Sequence, residues 1–131
     1  MSPDERRAIE WDCARLVALY ANLNDAAHWA DLAALYAEDG IMTRPSAPDI
    51  EIRGHTAILA AFRARPPRLT RHVCSNVVID VEDADHARGT SAMVLYTGTT
   101  PPAVGWFHDR FIRTTAGWRF SERRGTMTFS P

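Results

Sequence analysis

Proton transfer is the chemistry that this chain's residue types offer most directly, and a histidine beside a carboxylate is the pair that performs it. His72 falls in a run rich in Val and Ile, and Asp25 falls in the short stretch Asn24 to Ala27 between two helical patterns. A carboxylate that accepts the Nδ1 proton of an imidazole fixes the ring's tautomer and raises the basicity of Nε2. It also stabilises the cation formed when Nε2 takes a proton. Spacing alone favours a plainer arrangement, with His72 a hydrogen-bonded core histidine and Asp25 the cap of a second helix. His28, His55 and His86 stand at a helix start, a loop end and a hairpin, where surface positions are expected. His108 and Asp109 are neighbours on one strand, so their side chains point to opposite faces; with Gly105, Phe107 and Asp109 inward, His108 lies outside. No three His or carboxylate side chains occur at ligand spacing, so neither a metal nor any other cofactor is implied.

The elements that must position these residues read from the N-terminus. Ser2, Pro3 and Glu5 make a capping box with Pro at the first helical position, and Ile9, Cys13, Leu16, Val17, Tyr20 and Leu23 recur at helical spacing. A first helix is expected from about residue 4 to 23. A second is expected through Trp29, Leu32, Ala33 and Tyr36, stopping at Gly40. Short strands at 41–44 and 50–54 flank Pro45, and a third helix fits 56–64 ahead of Pro66 and Pro67. Segments 70–81, 87–98, 103–114 and 118–129 are strand-like and separated by turn residues, which makes them an antiparallel meander. The expected class is α+β, one domain over residues 1–131, with three helices on one face of a curved antiparallel or mixed sheet.

Composition excludes several functions. Fifteen basic and sixteen acidic residues leave a net charge of -1, so nothing concentrates nucleic acid around the chain, and the Arg-rich stretches 63–71 and 119–124 read as solvated faces. Apolar runs are too short for a membrane span and the N-terminus is acidic, which points to a cytoplasmic protein. Cys13 and Cys74 have no metal or redox spacing and read as two buried free thiols.

The segment from Tyr20 to Gly40 resembles the second-helix signature of the nuclear transport factor 2-like superfamily. Arg71-His72 through Asn76 resembles the HxxxN strand of its SnoaL-like branch, and Gly105 to Phe111 with Gly117 to Phe120 resembles that branch's closing hairpin. The resemblance spans nearly the whole chain in order and implies a cone-shaped α+β fold. Within the superfamily, scytalone dehydratase and hexachlorocyclohexane dehydrochlorinase use an Asp after the first helix and a His on the following long strand, and Asp25 and His72 stand at those positions. Tyr20 matches the place where steroid isomerases of the superfamily carry an oxyanion-binding tyrosine. The isomerase Asp that precedes a Pro is missing, since Arg44 precedes Pro45 here, and the second His and the Tyr of scytalone dehydratase are matched by Thr97 and Arg44.

The resemblance implies a lyase of the dehydratase type acting on a ring or a polyketide- or terpenoid-like molecule, with Asp25, His72 and Tyr20 catalytic. Arg44 or Asn76 is expected to meet the substrate's oxygen, Thr97 to be among the substrate-binding residues, and Trp29, Met42, Phe107 and Trp106 to wall the apolar part. Arg44 pairing with Glu51 or Asp49 is the alternative for that side chain. A double-bond isomerase with the same base and a non-catalytic binding domain or assembly subunit are the other two readings. A homodimer is expected, because alternation from an inward His72 sends Val73, Val77, Ile79 and Val81 outward, unless a bulge near Ser75 reverses the parity.

Overall fold

The computed structural model describes residues 1–129. Helix α1 spans Pro3–Asp25, opened by the capping box: the Glu5 amide donates to Ser2 Oγ at 3.0 Å and the Ser2 amide to Glu5 Oε2 at 3.2 Å. It runs two residues beyond the expected end, so Asp25 closes the helix instead of lying in a linker. Ala27, with φ 57°, then turns the chain. Helix α2, Trp29–Ala33, is a single turn, and the chain enters strand β1, Tyr36–Arg44, much earlier than expected. Leu32, Ala33 and Tyr36 suit a helix, but the Phe120 amide donates to the Leu35 carbonyl at 2.9 Å and Tyr36 pairs with Phe120. Sheet pairing overrides local preference there. Gly40 accordingly caps no helix; a Cβ on it would meet the Tyr36 Cβ at 3.0 Å within the strand.

After β2 (Ala47–Arg53) comes α3 (His55–Arg63), then the four long strands β3 (Arg71–Val81), β4 (His86–Tyr96), β5 (Ala103–Thr114) and β6 (Gly117–Met127). The sheet order is β2-β1-β6-β5-β4-β3. Only β1 with β6 is parallel, and β2 and β3 are free edges of an open sheet. The helices cover one face, and the core lies between them and the sheet, built on Val17, Tyr20, Leu32, Tyr36, Phe62, Phe111 and Phe120. Among the described residues no helix is long and apolar enough to cross a membrane.

One irregularity in β3 decides what its second half does. Ser75 faces Ala92 and Val78 faces Thr90, so β3 carries one extra residue, at a bulge where Asn76 has φ 53°. His72 and Cys74 point inward before it, and Ile79 and Val81 pack on the core after it. The expected outward row is therefore corrected: Val73, Val77 and Val78 are outside, and Ile79 and Val81 are not. Gly89 makes room for this, since a Cβ there would stand 2.7 Å from Ile79 Cδ1. Cys13 is fully buried, Cys74 half-buried, and both are free.

Candidate active site

The last residue of α1 and the second of β3 meet. Asp25 Oδ1 lies 2.6 Å from His72 Nδ1, and Asp25 Oδ2 accepts the His72 backbone N–H at 2.9 Å. Thr70 donates its hydroxyl to Oδ1 at 2.9 Å. Three donors on one carboxylate fix its orientation. Nδ1 is thereby the protonated ring nitrogen, and the Nε2 lone pair is the one left for a reactant. Burial lowers the His72 pKa below its ordinary 6.5, against the hydrogen bond and charge of Asp25, which raise it. The imidazole is thus neutral at pH 7, as a base must be.

The pair borders a cavity of about 530 Å³, inside the usual range for a small-molecule site. Tyr20, Trp29, Met42, Arg44 and Phe107 line it. Tyr20 from α1 and Tyr36 from β1 bring their hydroxyls to 2.9 Å, with Met42 Sδ 3.6 Å from Tyr20. Burial raises both phenol pKa values, so both stay protonated. Either hydroxyl can donate to the other; when Tyr36 donates, the Tyr20 proton is directed at Met42 Sδ, a weak acceptor that a substrate oxygen would displace. Trp29 stacks on Phe62 with ring centroids 5.9 Å apart. Arg44 does not pair with Glu51 or Asp49: its Nη2 donates to the Ala61 carbonyl at 2.9 Å, and Glu51 is taken by Arg53 and Arg124.

Three expected residues lie elsewhere. Asn76 sits in the bulge with its side chain exposed and is not on the cavity wall. Thr97 falls beyond the end of β4, where it bonds Thr100 Oγ1 at 3.0 Å within the loop. Trp106 alternates with Phe107 and is 36% exposed on the other face of the sheet. His108 is outside and Asp109 inside, as alternation requires, whereas His55 is half-buried and donates to the Tyr36 carbonyl instead of lying free on the surface.

Other contributors escaped the sequence. Tyr36 was hidden by its helical surroundings. Arg65 and Arg123 were hidden inside stretches that read as solvated. Arg123 is 1% exposed and its Nε lies 3.3 Å from Asp109 Oδ1, in a geometry that makes no hydrogen bond. Its guanidinium lies under the Phe107 and Tyr20 rings, 3.8 Å and 4.3 Å from their centroids. Burial lifts the Asp109 pKa to about 6 despite the nearby charge of Arg123. The register of β6 slips between Phe120 and Glu122, which turns Arg123 inward where simple alternation from Trp118 and Phe120 would turn it out. An inward Asp109 was the one available hint that a cation stood opposite.

A family model for the SnoaL-like domain matches residues 5–124. The chain belongs to the SnoaL-like domain family. Its solved neighbours agree on the fold. A scytalone dehydratase-like protein of Novosphingobium aromaticivorans is 24% identical, with 98% of this chain and 89% of that one covered and a TM-score of 0.84. An NTF2-like protein with a cystatin-like fold, also from Novosphingobium aromaticivorans, is 24% identical over 95% of this chain and 86% of that one, with a TM-score of 0.81. The hexachlorocyclohexane dehydrochlorinase LinA-type3 of Novosphingobium barchaimii is 16% identical over 98% and 92%, with a TM-score of 0.85. No curated protein matches the sequence. The SnoaL-like chain is therefore an NTF2-like α+β protein with an open, mixed six-stranded sheet, and dehydratase-like and dehydrochlorinase structures are among those it is similar to.

Proposed function

We propose that this SnoaL-like protein is a cofactor-independent lyase in which His72 is the base. His72 Nε2 takes a proton from a carbon beside a carbonyl. The electron pair of that C–H bond becomes the new C=C bond as the bond from the next carbon to its leaving group breaks, and the leaving group departs with its own pair, as halide, or as water by taking back the proton that His72 Nε2 has just accepted. Asp25 holds the ring and balances the imidazolium that forms. The Tyr20 hydroxyl, backed by Tyr36, donates to the carbonyl oxygen as negative charge gathers there. Arg44 faces a second oxygen of the substrate, and Trp29, Met42 and Phe107 enclose its apolar ring.

The observation that carries the reading is the pairing of His72 Nδ1 with Asp25 at 2.6 Å at the edge of an open cavity of about 530 Å³. The dehydratase-like and dehydrochlorinase neighbours support elimination as the reaction class. A domain that merely held a ligand would have no need for so oriented a base. The test is a panel of cyclic β-hydroxy and β-halo ketones followed by the absorbance of the enone product, with His72→Ala as control. Enone formation that disappears in the variant supports the lyase; migration of a double bond without loss of a group assigns the same base to an isomerase. Binding with neither reaction assigns the cavity to a carrier.

A further inference from the structure

Three guanidinium side chains border the cavity, those of Arg44, Arg65 and Arg68. Among the described residues none of the three pairs with a carboxylate. The carboxylate on the cavity wall is Asp25, and His72 and Thr70 already occupy it. The two inner arginines converge on the C-terminal end of α3. Arg44 arrives from the end of β1 with Nη2 on the Ala61 carbonyl, and its Nε is buried with no partner. Arg65, two residues past α3, donates Nη1 to Asn24 Oδ1 at 2.8 Å and lies over Phe62 at 4.9 Å.

Each guanidinium is thus pinned by one neutral acceptor, which fixes its direction and leaves its charge uncompensated. Taking such charge out of water is costly unless a counter-charge arrives. Pre-oriented, partly desolvated arginines are the form of site that a planar oxyanion fits, because the guanidinium fork matches both carboxylate oxygens.

We propose that the substrate is an anion: a ring or short polyketide-like molecule whose carboxylate is received by Arg44 and Arg65 while its reacting carbon faces His72. This deepens the proposed function and rests on that cavity being the substrate site, though not on the reaction carried out there. The carboxylate is a handle and not the activating group. An ionised carboxylate accepts further negative charge poorly, so the proton that His72 removes lies beside a separate carbonyl. Arg68, exposed at the mouth, adds to the field that draws the anion in.

The test is calorimetric titration of the full chain at pH 7.5 with 2-naphthoate and with 2-naphthamide, which share a ring and differ in charge. The naphthoate binds at least tenfold tighter than the amide. Arg44→Met and Arg65→Met each remove most of that preference, weakening the naphthoate more than the amide. His72→Ala keeps the preference, so a failure of the lyase reading is visible separately, as absent turnover with anion selectivity intact. Equal affinity for the two compounds, no binding of the naphthoate at millimolar concentration, or a preference that survives both arginine variants overturns the proposal.

Discussion

Asp25 grips His72 at two points, its Oδ1 against ring Nδ1 at 2.6 Å and its Oδ2 on the backbone N–H at 2.9 Å. The second contact ties the carboxylate to the strand itself, so the imidazole and its partner are placed by one rigid junction between α1 and β3. Neither needs a mobile loop to find the other.

Burial holds the His72 pKa below 6.5, so the neutral base persists below that pH and is lost only as pH falls through the depressed value. The acid limb of kcat/KM for the reaction is therefore expected to have its midpoint below 6.5, with activity flat from there to pH 8. A midpoint above 6.5 would mean that the charge of Asp25 outweighs desolvation.

Removing one partner of the buried Arg123 and Asp109 pair strands the other. Asp109→Ala and Arg123→Met are each expected to cost about 3–5 kcal/mol in urea unfolding, and the double variant Asp109→Leu with Arg123→Met to recover most of it. Additive losses in the double variant would show that the two groups act independently.

The outer face of the sheet carries Val73, Val78, Tyr96 and Trp106 at 46%, 55%, 48% and 36% exposure. Two copies packing through this face is the proposed assembly. Light scattering is expected to give a mass above the 14.6 kDa of one chain, and Val73→Lys with Trp106→Glu to return it to that value. A 14.6 kDa species in the unaltered protein would remove the interface.

Much of this was legible in the residues, and what was not has a common cause. The capping box, the apolar spacing of α1 and the turn residues between the long strands gave the class and order of elements, because each is decided locally. That His108 and Asp109 face opposite ways followed from alternation in a strand without a bulge. Where the register slips, alternation fails. The extra residue near Asn76 moved that side chain off the cavity and brought Ile79 and Val81 in, and the slip past Phe120 buried Arg123. Tyr36 failed for a different reason, since pairing with Phe120, far along the chain, claimed a segment whose own composition suits a helix.

The most direct measurement is proton exchange from carbon, which needs no leaving group. 2-Tetralone in D2O is incubated with the protein, and deuterium entering the carbons beside the carbonyl is followed by NMR. The wild type is expected to exceed the buffer rate, Asp25→Asn to fall by one to two orders of magnitude, and His72→Ala to match buffer while remaining folded by circular dichroism. Exchange at the wild-type rate in folded His72→Ala would contradict the assignment of His72 as the base.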